Sequence, residues 1–207
     1  MKKIVLVAMT LLISLGMSAR GVGVIGGFSS SSMNIKDFDV KAATGYHFGV
    51  GSNIPLALGF AIQPEILYNV KASIFQEMTT KTSANELANL AKLGYVEVPI
   101  QVQWGIDLAL IRPYVFAEPF AGFAINGVLE ESGSKTQVNF KNITERLEYG
   151  FGFGAGIELF NSIQVSAKYF WNLEKSGGLN GMINTVSTNV QEKAGFDGLI
   201  FSAAIFF

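Results

Sequence analysis

The chain has 207 residues, 49 % of them apolar and 15 % charged, with 15 basic and 16 acidic side chains and a formal net charge of −1. That balance supplies neither a basic field for nucleic acid nor an acidic tail, and so apolar a chain is not a disordered one. The lack of cysteine excludes disulfides, thiolate metal sites and cysteine nucleophiles, and a single histidine excludes any site built on two imidazoles.

The N-terminus reads as an export leader. Lys2 and Lys3 form a basic start, Ile4 to Leu15 is almost purely apolar, and Gly16-Met17-Ser18-Ala19 offers small residues for cleavage after Ala19. Residues 1–19 are thus expected to be a cleaved signal peptide and 20–207 a single domain. The leader's apolar run is short of the ~20 residues of a membrane-spanning helix, and no later window reaches that length.

The chain beyond Ala19 has a period of two. Strands are expected near residues 20–29, 40–51, 59–71, 94–106, 112–128, 146–159, 163–174 and 196–207. The first carries Val22, Val24 and Phe28 on one face, the second Ala42, Thr44, Tyr46, Phe48 and Val50. In the third, Phe60, Ile62, Ile66 and Tyr68 alternate with Ala61, Gln63, Glu65 and Leu67, and in the fourth Val96 to Ile106 alternate with Glu97, Gln101 and Gln103. In the sixth, Tyr149, Phe151, Phe153, Ala155 and Ile157 alternate with Gly150, Gly152, Gly154 and Gly156. Strict alternation at 180° per residue marks strands. The large apolar side chains share one face, whereas glycine, glutamine and isolated charges share the other. Small and polar inside, large and apolar outside, is the pattern of a barrel in lipid.

The connections alternate in length. Residues 52–58, 108–111 and 161–162 are short links, whereas 30–39, 72–93, 129–145 and 174–195 are long and polar. Outer-membrane barrels have short periplasmic turns and longer outer loops, so both chain ends are expected in the periplasm. Ser83 and Glu86 form a capping box ahead of Leu87, Leu90 and Ala91, which predicts a short loop helix. Pro64, Pro99 and Pro119 fall inside strands, and local bulges are expected there because a closed barrel has no edge on which to leave a missing N–H. The fold expected is all-β, an eight-stranded antiparallel up-and-down transmembrane β-barrel.

Several segments resemble one family. Phe60-Ala61-Ile62-Gln63-Pro64-Glu65-Ile66-Leu67-Tyr68 is similar to the FxIQPELLY segment of the PorT-like outer-membrane β-barrel family of Bacteroidetes-type bacteria. Tyr95-Val96-Glu97-Val98-Pro99 resembles its YLEVP segment, and Arg112-Pro113-Tyr114-Val115-Phe116-Ala117 its RPYVFAG segment. Gly152 to Glu158 resembles its GxGAGxE stretch, and Ala167-Lys168-Tyr169 sits where the family often has a small residue, Arg and Tyr. Glu118 and Ile25 depart from the pattern, standing where the family usually has Gly and often has Lys. The resemblance implies an outer-membrane barrel usually without an assigned activity; the name-giving member is linked to protein secretion.

No cofactor, metal or catalytic set is expected. Phase places Glu65, Glu97, Glu118, Glu148, Glu158, Arg146, Lys71 and Lys168 inside, and buried carboxylates need partners. Lys168 is the expected counter-ion of a cluster drawn from Glu65, Glu97 and Glu118, with Gly154 and Gly152 giving room to Lys168 and Phe170. Trp104 and Trp171 are expected in the aromatic girdles, as is Phe207, which ends the chain in phase with Ile205 and looks like the signal read by the barrel-insertion machinery. The expected partners are outer-membrane lipid and lipopolysaccharide, that machinery, and a protein bound through the long loops, with no nucleic acid. Two rival functions compete with this reading. One is a lipid-modifying hydrolase using His47, with Ser166 or Ser202 as inward hydroxyls; the other is a soluble periplasmic lipocalin-like lipid binder.

Overall fold

The structure, a computed structural model, describes residues 21–34, 38–77, 89–131, 134–137, 146–173 and 195–207. Residues 1–20, with the leader expected over 1–19, therefore lie outside the described residues. Eight long strands wind up and down: β1 (Val22–Asn34), β2 (Phe38–Ser52), β3 (Phe60–Glu77), β4 (Asn89–Gly105), β5 (Ile111–Glu131), β6 (Leu147–Leu159), β7 (Ile163–Asn172) and β8 (Gly195–Phe206). Each pairs antiparallel with the next, and β1 pairs with β8 from Gly23↔Phe206 to Asn34↔Gly195, which closes the barrel. Closure leaves none of the eight strands with an unpaired edge.

The period of two decides which side faces out. Along β6, exposed and buried residues alternate almost without interruption. Phe153 and Phe201 are 55 % and 54 % exposed, whereas inward Phe116 and Phe170 are buried. A soluble lipid-binding barrel would reverse this, with its aromatics inside and its polar face in water. No helix among the described residues is long and apolar enough to cross a membrane.

The barrel is taller at one end than the sequence predicts. β1 runs to Asn34 and β2 starts at Phe38, so only residues 35–37 lie between them where a long polar segment over 30–39 is expected. The polar run misleads because Ser31 within it is a strand residue pointing into a polar lumen. β3 and β4 likewise extend to Glu77 and back to Asn89, with Ser73↔Ala91 and Ile74↔Leu90 paired. Leu90 and Ala91 are therefore strand, not helix, because the cross-strand ladder outweighs their local spacing. Ser83, Glu86 and Leu87 lie outside the described residues. A short strand, Ser134–Gln137, pairs with the end of β5 inside the third long connection.

The prolines do not shift the register. Pro64↔Ile100 and Leu67↔Glu97 keep one alignment, as do Pro99↔Phe120 and Val102↔Ala117. The ladder instead skips the pairs between them, so the missing N–H groups cost local rungs rather than an inserted residue. Register shifts occur between Ala42 and Tyr46 and between Gly94 and Tyr95. At the first, Ser31 Oγ reaches across to β3, donating to the carbonyl of Ala72 at 2.8 Å and accepting from its N–H at 3.2 Å. One hydroxyl thus replaces the strand pairing that the bulge interrupts.

The tight turns gather at the end that also holds Phe207. Leu159 to Ser162 forms a two-residue hairpin closed by Ser162 N donating to Leu159 O at 3.1 Å, with Phe160 and Asn161 at φ 52° and 57°. Positive φ at both central residues is the type I′ geometry that favours Asn-Gly. Leu58 and Ala109, in the other two turns, also have positive φ. The left-handed conformation costs a non-glycine residue ~1–2 kcal/mol.

Candidate functional site

The lumen is the one place where polar side chains converge among the described residues, and they fill it in three layers. Eight strands leave an interior just wide enough for side chains.

At the turn end, Arg112 Nη2 donates to the Gly59 carbonyl at 2.9 Å and Nη1 to Gln103 Oε1 at 3.2 Å, while Nη1 lies 3.6 Å from Glu158 Oε2. Gln164 Nε2 also donates to Glu158 Oε2, at 3.0 Å. Asn53 points up from the β2–β3 turn and donates to Gln63 Oε1 and Gln103 Oε1 at 3.0 and 3.3 Å. Inward Ile25, Leu67, Ala204 and Phe206 form a small apolar cluster within the same lumen.

In the middle layer, Gln63 and Gln101 both donate to Glu65 Oε1, at 2.7 and 2.9 Å. Lys168 is ion-paired with Glu118. Its backbone neighbour across the β6–β7 ladder is Gly154, and that of Phe170 is Gly152. A methyl group at Gly154 would sit 2.3 Å from the Ala167 carbonyl and 2.8 Å from Lys168 Cβ, so this lysine can lie against the wall only because the residue opposite is glycine.

Nearer the loop end, Lys71 is fully buried. Its Nζ lies 2.7 Å from Glu148 Oε1 and 2.8 Å from Glu97 Oε1. The rings of Phe120, Phe170 and Tyr95 surround it at 4.8, 4.8 and 5.1 Å from their centroids. Asn172 Nδ2 donates to Glu148 Oε2 at 2.7 Å and Asn69 Nδ2 to Glu97 Oε2 at 2.9 Å. An ammonium held by two carboxylates inside an aromatic cage closes the barrel from wall to wall.

These positions redistribute the cluster expected around Lys168. Of Glu65, Glu97 and Glu118, Lys168 meets Glu118; Glu97 is met by Lys71, and Glu65 by the two glutamines. Arg146 is only half-buried, its guanidinium 5.8 Å from the Phe123 ring, and stands outside the three layers. Arg112 and Asn53 complete the turn-end layer although sequence reasoning did not single them out. Arg112 was detectable, since it is in inward phase on β5 and pairs directly with Glu158. Asn53 was not, because strand phase says nothing about a turn residue.

His47 does have a partner. Gly27 separates it from Ser202 in the ladder, and Ser202 Oγ lies 3.0 Å from His47 Nε2. His47 is 3 % exposed, however, and its Nδ1 has no hydrogen-bond partner. A Ser–His hydrolase needs a third group to orient the base and a path for the ester. This pair faces the filled lumen rather than the lipid. Among the described residues no cluster of His, Asp and Glu is arranged to hold a metal ion.

On the outside, Trp104 and Trp171 are 46 % and 45 % exposed and sit towards opposite ends of the wall. Tyr46, Phe48 and Tyr68 form an outward aromatic group, with ring centroids 5.4–6.5 Å apart, and Tyr169 packs 4.9 Å from Trp171. Phe207 is exposed, and its N–H donates to the Val22 carbonyl at 3.2 Å.

Among solved structures, Neisserial surface protein A is similar over 90 % of this chain and 97 % of its own, at 11 % identity and a TM-score of 0.47. Ail, the attachment invasion locus protein of Yersinia pestis, is similar over 90 % of this chain and 99 % of its own, at 10 % identity and a TM-score of 0.43. The N-terminal β-barrel domain of Pseudomonas aeruginosa OprF has the same two coverages and 10 % identity, with a TM-score of 0.30. A search of curated proteins returned no match. The family model described as the outer membrane protein beta-barrel domain matches residues 13–177, a span that runs past the end of β7. The match spans well over half the sequence, and the outward apolar wall, the inward polar layers and the β1–β8 closure are what such a domain requires; the chain belongs to the outer membrane protein beta-barrel domain family.

Proposed function

We propose that this outer-membrane barrel is a non-catalytic scaffold that holds its loop end at the cell surface and passes no general solute. The observation that supports this reading is the filled lumen: three polar layers, from Arg112 to Lys71, block the axis from turn end to loop end. With the wall facing lipid and the centre occupied, the loops are what remains to contact a partner. The tight turns and Phe207 then face the periplasm, residues 1–19 serve as the export leader, and Phe207 serves as the insertion signal. Contact with lipopolysaccharide falls to the outward aromatic group at the loop end. The resemblance to the PorT-like family extends the reading to a place beside a protein-export machine. The test is reconstitution of the pure protein into a planar bilayer. No steady large conductance is expected, and reproducible steps of porin size would overturn the proposal.

A further inference from the structure

We propose that the turn end of the barrel is a second lipid-binding surface, whose three tight turns seat apolar side chains in the interface of the inner, phospholipid leaflet. This rests on the proposed orientation, with the turns on the periplasmic side. Leu58, Leu110 and Phe160 project from the three turns at 88 %, 63 % and 64 % exposure, with Leu56, Ile106 and Leu108 beside them. Water-facing turns would favour Asn, Gly and Asp. Here Leu58 and Phe160 occupy left-handed positions where such residues would sit without strain. The turns are also joined, because Phe160 N donates to Leu110 O at 2.8 Å. The β4–β5 and β6–β7 turns therefore form one ledge. Asp107 is the charged residue of these turns, and it lies 3.7 Å from Arg112 Nε.

Depth arithmetic favours lipid over a periplasmic protein as the occupant. A strand rising ~3.3 Å per residue at a tilt of ~40° descends ~2.5 Å of membrane depth per residue. From Trp171, in the loop-end girdle, Ile163 lies roughly 20 Å deeper and Phe160 roughly 28 Å deeper by that measure. An apolar band ~25 Å tall thus ends between Ile163 and Phe160. On β6 the same count from Tyr149 ends near Leu159. The ledge is the direct continuation of the lipid-facing wall through Ile111, Ile163 and Phe207, all of them exposed. Apolar side chains at that depth bury into the boundary between headgroups and acyl chains.

The chain has no cysteine, so single probes can be placed without background. Leu58→Cys, Leu110→Cys and Phe160→Cys would each carry an environment-sensitive fluorophore, as would Val98→Cys on the wall. The proteins are refolded into phosphatidylethanolamine–phosphatidylglycerol vesicles containing lipids spin-labelled near the headgroup or deep in the chain. Heat-sensitive gel mobility verifies folding of each variant. The turn probes are expected to lose about half or more of their emission to headgroup-side labels and less to deep ones, with Val98 showing the reverse. Water-like emission from the turn probes, unquenched by either lipid while Val98 is quenched, overturns the inference and leaves the barrel reading standing. If the Val98 probe is unquenched as well, it is the barrel reading that fails.

Discussion

Lys71→Met is expected to cost the barrel ~3–5 kcal/mol, the largest loss from any single interior substitution, because it leaves two buried carboxylates facing each other without a cation. Glu97 and Glu148 each hold the Lys71 ammonium within 2.8 Å, and three aromatic rings close the remaining directions. Methionine keeps much of the volume, so the effect is electrostatic rather than a cavity. Glu97→Gln with Glu148→Gln should recover much of the loss when added to Lys71→Met. Urea unfolding in lipid vesicles measures both. A loss below ~1 kcal/mol, the range of exposed ion pairs, would show that water already solvates this layer.

Phe153→Arg is expected to cost ~2–4 kcal/mol, and Leu147→Arg only ~0–1 kcal/mol. Both side chains face outward on β6, 55 % and 44 % exposed. They differ in depth, since Phe153 lies mid-strand and Leu147 opens β6 at the loop end. An arginine at the membrane midplane must desolvate or drag water inward, whereas one at the rim reaches the headgroups. The same vesicle titration compares them. Equal tolerance at the two depths would mean that the wall is not immersed in lipid.

The wall was legible in the sequence because a period of two sorts each strand's side chains onto two faces, and large aromatics set against glycine, glutamine and isolated charges mark the face that meets lipid. Tyr149 to Leu159 shows this sorting most clearly, and the Gly154↔Lys168 pairing followed from the two-residue turn once Leu159 was set opposite Ile163. The partners across the lumen were not legible. They depend on the stagger with which the barrel closes, which no single strand encodes. Lys71 pairs with Leu93 in the ladder, yet its amine reaches Glu97, four residues further along β4. Likewise His47 and Ser202 meet only because β1 pairs with both β2 and β8. The polar serines of β1 hid the continuation of that strand from residue 30 to Asn34: in an inverted barrel, polarity marks the inside as well as the loops.

The central claim is that this chain forms a closed barrel whose apolar wall belongs in a membrane. It is tested most directly by gel mobility of the refolded protein before and after boiling. A closed eight-stranded sheet with no open edge should resist dodecyl sulfate at room temperature and migrate as a compact species, then shift to the unfolded position on heating. Identical mobility of the two samples, from protein that is soluble without detergent, would contradict the account.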